Sequence, residues 1–401
     1  MTTLPGTPAP SSGFRSDARL DEVAAREFPR VRRDEIAYLN SASTGPLPEC
    51  AVRALAEFNG MRAEPWRVTQ EMQFTQLDRG RAQIARLVGA SPSEIALTVN
   101  TSYGLNLAAR ALPLRAGDVV ITSDREFPSN VYPWMALERA RGVRFERVPC
   151  AGRLADEEAI VAALDRPRVK TLVISWVSFE TGARLDLARL GRECRARDIY
   201  LVVDAIQGVG ATPLDLASLD VDILACGAQK WLLSPWGTGF VYVRRGLIPE
   251  LEPVDVSWMA VRDSDDFTRM LEYDFTWRDD ARRYEVVTLP YQDFAGMNAS
   301  LALFFEVGVD AALARTAAHV GRIMAWARTR DDVRLLTPDS PARSAGIAAV
   351  IPADPPSASR RLTAAGVEHS LREGAIRLSP HWFTPASHVD RALEALEAAA
   401  R

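Results

Sequence analysis

From about residue 90 to residue 245 the chain alternates short, β-branched apolar runs with longer amphipathic ones. This rhythm constrains the fold more than any other feature. The strand candidates are "EIALTV", "DVVITS", "RFERVP", "VKTLVIS", "YLVVDA", "DILACGA" and "TGFVYV". Helical patterns such as "YGLNLAARAL", "SNVYPWMALERARG" and "LDLARLGRECRARD" lie between most of them. Nearly all-apolar strands separated by helices predict an α/β fold with a mostly parallel sheet covered on both faces. In such sheets ligands sit beyond the carboxyl ends of the strands.

The rhythm changes after residue 295. A long helical stretch precedes "RLLT", "IAAVIP", a helix, "AIRLSP" and a terminal Ala/Glu-rich helix, the pattern of a smaller α+β domain. Between residues 250 and 295 the chain is acidic and aromatic without clear periodicity, and reads as an irregular crossover. The start, "MTTLPGTPAPSSGF", lacks an apolar h-region and reads as a disordered tail rather than a signal peptide. The expected partition is a tail over 1–18, an N-terminal segment 19–60 packing with the small domain, a large domain 61–290 and a small domain 291–401.

Composition narrows the function. A length of 401 residues holds one large domain and one smaller one. A net charge of −4 with acids and bases interspersed provides no basic footprint, so nucleic acid is not expected as a partner. No apolar run approaches a membrane span. The four cysteines are scattered, with no C-x-x-C pair, and the four histidines fall late in the chain, so neither a disulfide framework nor a metal site is expected. A cytoplasmic location is the expectation.

Two lysines stand among 48 Lys and Arg residues, and Lys230 sits inside the apolar, glycine-rich stretch "LACGAQKWLLSPWGTGF". An ammonium loses its proton when desolvated and then attacks a carbonyl; a guanidinium does not. Lys230 is therefore a candidate Schiff-base lysine, against the bland reading that it survives a coding bias toward arginine. Asp204 ends the strand "YLVVDA", 26 positions earlier. It is either a loop or N-cap aspartate or the counter-ion of a buried cofactor cation. "TVNTSYGLNLAARAL" runs from a strand into a helix, so Thr101 and Ser102 either cap it or help to seat a phosphate at its N-terminus. Phe127, at another strand end, belongs to the core or stacks on a flat ring. Arg377, mid-strand in "AIRLSPHW", forms an internal salt bridge or grips a carboxylate. Taken together, the elements describe the needs of one cofactor, pyridoxal 5'-phosphate.

The stretches "YLVVDAIQGVG", "LACGAQKWLLSPWGTGFVYV", "RLSPHWFTPASHVDRALEAL" and, near residue 38, "YLNSASTGPLP" resemble the class V aminotransferase family of fold-type I pyridoxal-phosphate enzymes. That family includes cysteine desulfurases, isopenicillin N epimerase-like proteins and related lyases. The resemblance implies a seven-stranded sheet and a homodimer. It implies that Lys230 bonds the cofactor, Asp204 pairs with its ring nitrogen, and Gln207 approaches the ring hydroxyl. Thr101, Ser102 and Gln229 would hold the phosphate, and Phe127 would cover the ring. Arg377 would grip the substrate α-carboxylate, and "TLPYQDFAG" would supply Tyr291 to the substrate and Gln292 to the partner subunit's site.

The chain also departs from the family pattern. Gln229 stands where many relatives carry His, "EFPSN" replaces the "EHH" of desulfurases, and "LTAAGVEHSLREGAIR" lacks the desulfurase cysteine. Cysteine desulfurase is thereby excluded on the sequence reading. What is expected instead is chemistry at Cα or Cβ of a free amino acid in secondary metabolism. β-Elimination of the C–S lyase type or transamination is favoured, with epimerisation as the alternative. A dehydrogenase built on "GVGATP" and a non-catalytic binding protein are remote alternatives.

Overall fold

The structure, a computed structural model, describes residues 13–397 except residue 34. Its centre is a seven-stranded sheet built from β1 (Ile95–Thr98), β2 (Val119–Ser123), β3 (Arg144–Val148), β4 (Val169–Ser175), β5 (Tyr200–Asp204), β6 (Ile223–Gly227) and β7 (Gly239–Val243). The order across the sheet is β1-β7-β6-β5-β4-β2-β3. Only β7 runs against its neighbours; the other pairings are parallel. Six strands therefore send their carboxyl ends to one edge. The α/β expectation, with its mostly parallel sheet, matches this architecture.

Alternation along each strand explains why both faces are covered. Leu201 and Val203 point into one apolar core and Val202 into the other, and Leu224 and Ile223 divide in the same way. Each such fully buried aliphatic side chain stabilises the fold by roughly 1.5–3 kcal/mol. Helices Thr101–Ala111, Tyr132–Arg141 and Leu187–Arg195 cover the sheet where the sequence pattern places them. The crossover after β7 is irregular, with short turns of 3₁₀ helix at Trp258–Ala260 and Ala281–Tyr284.

A second sheet, in the order β10-β11-β9-β8, contains β8 (Val333–Leu335), β9 (Ala348–Pro352), β10 (Ser370–Arg372) and β11 (Ala375–Leu378). Strand β10 is absent from the sequence reading. It is three residues long, and it folds back through Glu373 and Gly374, which take φ of 48° and 74°. Two positive φ values in a two-residue loop are what a tight hairpin demands. The N-terminal segment joins this small unit: Ala37–Tyr38 pairs in parallel with Val367–Glu368.

Two boundaries differ from expectation. Of the tail expected over 1–18, residues 1–12 lie outside the described residues, whereas Gly13–Glu27 is a helix. Leu20, Val23 and Ala24 cluster with Phe304 and Trp382, which lie far away along the chain. Helix Tyr291–Val307, expected to open the small domain, gives Phe294, Met297 and Leu301 to the core under the large sheet and Phe304 to the other cluster. It straddles the two units because it is apolar nearly all round.

Candidate active site

Lys230 lies three residues past the end of β6, and Asp204 closes the adjacent β5, so both sit at the carboxyl edge of the sheet. Asp204 is 3 % exposed, and its carboxylate accepts a hydrogen bond from the Ile206 N–H at 3.1 Å. Burial pushes its pKa up to about 6, against the pull of that N–H and of Lys230. Lys230 is half-buried, and desolvation brings its ammonium down to about 8 despite the attraction of Asp204. Its Nζ stands 5.9 Å from the centre of the Phe127 ring. Phe127 is held edge-on by Phe179, with centroids 5.2 Å apart.

The helix that begins at Thr101 is capped by Asn100, whose side chain accepts from the Tyr103 N–H at 2.9 Å. The cap therefore falls to Asn100, leaving the Thr101 and Ser102 hydroxyls to other partners. Thr101 Oγ1 accepts from the Gly227 N–H at 2.8 Å, which leaves its own O–H to donate. Ser102 donates to Ser129 Oγ at 3.1 Å. A Cβ on Gly227 would lie 2.5 Å from Gln229 Oε1 and 3.2 Å from Thr101 Oγ1, so glycine alone leaves these two side chains room to converge. The result is a pocket rim of hydroxyl and amide groups around a helix N-terminus, the chemistry of an anion seat.

Gln207 bridges two elements beside Lys230. Its amide nitrogen donates to the Ala42 carbonyl at 2.9 Å, and its oxygen accepts from the Trp231 indole at 2.8 Å. These two bonds join the Lys230 turn to the N-terminal segment, and the amide keeps a second N–H and a second lone pair for another partner. Tyr291 and Gln292 open the helix Tyr291–Val307. Among the described residues neither makes a hydrogen bond or ring contact with Lys230, Asp204 or Thr101.

Arg377 comes from the small sheet and is 2 % exposed. It donates to the Phe179 carbonyl and to Ser43 Oγ, each at 2.7 Å, while its Nε has no partner. Among the described residues no acid pairs with it, so the alternative of an internal salt bridge falls away. Burial lowers its pKa to about 10.

Ser43, Phe179, Ser129 and Glu126 belong to the site and were not singled out in the sequence. Glu126 is enclosed: it accepts from the Ser175 N–H, from Ser175 Oγ at 2.5 Å and from Asn130 Nδ2 at 3.0 Å, and burial raises its pKa. The motifs "YLNSASTGPLP" and "EFPSN" contained Ser43, Glu126 and Ser129, but only the folded chain brings Ser43 to Arg377. Among the described residues no group of His, Cys, Asp or Glu is placed to hold a metal ion.

A buried acid with a single backbone donor, a lysine poised to lose its proton, an anion seat and an unpaired arginine define a site for an aldehyde cofactor bearing a ring cation and a phosphate. These residues fit pyridoxal phosphate.

A family model, aminotransferase class-V, matches residues 37–368. The chain belongs to that pyridoxal-phosphate-dependent family. It is 30 % identical over 379 residues to the isopenicillin N epimerase of Streptomyces clavuligerus, spanning 90 % of this chain and 94 % of that one. A probable cysteine desulfurase of Methanothermobacter thermautotrophicus is 31 % identical over 72 % of this chain and 71 % of its own. Among solved structures, the cystine C–S lyase C-DES in complex with cysteine persulfide superposes with a TM-score of 0.84 at 23 % identity, covering 92 % of this chain and 99 % of that one. The cysteine desulfurase CsdA from Escherichia coli superposes at 0.81 and 22 %, over 96 % of this chain and 98 % of its own. At these identities the superpositions speak for the fold. Among the described residues no single helix is long and apolar enough to cross a membrane.

Proposed function

We propose that the protein removes the Cα proton of a free amino acid and then expels a β-substituent, in the manner of a C–S lyase. The observation that carries this reading is the Lys230–Asp204 pair on neighbouring strand ends, with one amine lowered to about 8 and one acid raised to about 6. Bound pyridoxal phosphate would supply an aldehyde for amines to condense with and a ring that withdraws electrons from Cα. Thr101, Ser102, Gln229 and the helix N-terminus would hold its phosphate, and Asp204 would face its ring nitrogen. Phe127 would lie over the ring and keep water from that face. Gln207 would steady the Lys230 turn through its two hydrogen bonds and offer its remaining N–H or lone pair to the ring hydroxyl. Gln292 would serve the partner subunit's site in a homodimer, with Tyr291 beside the substrate.

The chain's own residues then divide the work. Arg377 orients the substrate through its α-carboxylate, which removes the freedom of the reacting bond. Lys230, neutral at mildly alkaline pH, accepts the Cα proton at Nζ and returns it to the leaving group. Asp204 as the anion keeps a proton on the nitrogen it faces.

Among the described residues no thiol is set up as a nucleophile, which supports the exclusion of cysteine desulfurase. Burial raises Cys50 to about 12 and Cys150 to about 11, and Cys226 is enclosed in β6. Nucleophilic cysteines need the opposite shift. Transamination and epimerisation share the first proton removal; epimerisation is favoured specifically by the relative that spans 90 % of the chain.

A single turnover without a keto-acid acceptor separates these outcomes. The holoenzyme is mixed with L-amino acids and cysteine S-conjugates, and both cofactor and products are identified by mass. A released thiol with pyridoxal phosphate retained is the expected result. Accumulated pyridoxamine phosphate, or an inverted amino acid with no thiol, overturns it.

A further inference from the structure

The hairpin that carries Arg377 carries a second arginine. In the β10–β11 register Ser370 lies opposite Arg377 and Arg372 opposite Ala375. Side chains alternate along a strand, so all four share one face of the sheet. Arg372 and Arg377 are diagonal neighbours on it, about 7–8 Å apart at their backbones. Two like charges so placed repel each other unless an anion lies between them. Among the described residues the Arg372 side chain makes neither a hydrogen bond nor an ion pair, and no acid pairs with Arg377.

Arg372 is exposed, yet its charge reaches the site, where it helps to lower both Arg377 and Lys230. The tip of the hairpin is fastened: Arg153 donates to the Glu373 carbonyl and pairs with Glu180 at 3.0 Å. Glu373, its neighbour in sequence, acts on Arg125. The site mouth therefore presents two guanidinium groups on a fixed edge, one of them with a buried Nε left over.

We propose that Arg372 is a second anion receptor, and that the substrate is an amino acid whose side chain ends in a carboxylate or another oxyanion. The α-carboxylate goes to Arg377 and the distal anion to Arg372. This rests on the reading of Lys230 and Arg377 given above.

The test compares chains of equal length in the holoenzyme. L-2-Aminoadipate is set against L-norleucine and L-glutamate against L-norvaline, with apparent Kd read from the cofactor absorption. A charged hydrogen bond contributes about 1.5–3 kcal/mol, so a diacid should bind about tenfold tighter or better than its neutral partner. Arg372→Gln should erase that preference and Arg372→Lys should keep part of it, because lysine retains the charge without the planar fork. Thermal midpoints confirm that both variants fold. A preference unchanged in Arg372→Gln, or absent in the wild type, overturns the proposal while amino acids still shift the absorption. If none of the four shifts the wild-type absorption, the parent reading fails first.

Discussion

At the scale of single residues the site depends on two shifts of opposite sign. The Lys230 amine is lowered to about 8, so its reactive neutral form accumulates above that pH instead of near 10.5. In the cofactor-free protein, acetylation of Lys230 followed by peptide mass should rise with a midpoint near 8; a midpoint near 10 contradicts this. Asp204 is raised from 3.8 to about 6, so folding favours its neutral form. That contribution to stability is present below about 4 and is lost as pH rises through 6, leaving a cost of about 3 kcal/mol at pH 8. Asp204→Asn should therefore raise the melting temperature of the cofactor-free protein at pH 8 and abolish turnover. A fall in melting temperature would show that the carboxylate is structural. Lys230 and Asp204 were legible in the sequence because each is costly where it stands: a lone lysine in an apolar run, an acid at the end of a buried strand. The partners of Gln207, the Ala42 carbonyl and the Trp231 indole, were not legible because tertiary packing sets them.

At the scale of elements, glycines set how closely the pieces approach. Gly104 lies in the helix that begins at Thr101, and a Cβ there would meet Ala225 at 2.7 Å and Val241 closer still. Replacing an exposed helical glycine by alanine stabilises by about 1 kcal/mol. Overpacking costs typically 1–3 kcal/mol and wins at this buried position. Gly104→Ala should thus destabilise the fold and, by tilting the helix N-terminus, weaken cofactor binding in equilibrium dialysis; a net gain in stability refutes the argument. Gly45 acts similarly at the N-terminal segment, where a Cβ would run into the Lys230 carbonyl and lie 2.9 Å from Leu233. The strands of the large sheet were readable from their apolar runs, except the edge strand β3, where Phe145 and Val148 are interspersed with charged residues. The β10 strand was not, since three residues containing Arg372 carry too little pattern, and the helix Gly13–Glu27 draws its stability from distant Phe304 and Trp382.

At the scale of the whole molecule the site lies where three distant stretches of chain meet: residues 40–45, the strand ends of the large sheet, and the β10–β11 hairpin. Gly45 N donates to the Gln229 carbonyl at 2.8 Å, and Arg377 reaches from the small sheet to Ser43 and Phe179. Exposed apolar side chains gather on the irregular crossover, where Leu271 is 81 % and Tyr273 88 % exposed. Such patches mark association surfaces, which supports the proposed homodimer. Sedimentation should find a dimer, and Leu271→Asp with Tyr273→Asp should shift it toward monomer. A monomeric wild type with full cofactor content contradicts this. The central claim is that Lys230 holds the cofactor, and borohydride reduction of the holoenzyme followed by peptide mapping tests it most directly. A reduced pyridoxyl adduct is expected on the peptide containing Lys230 and absent in Lys230→Ala. An adduct on Lys170, or none on either lysine, would contradict it.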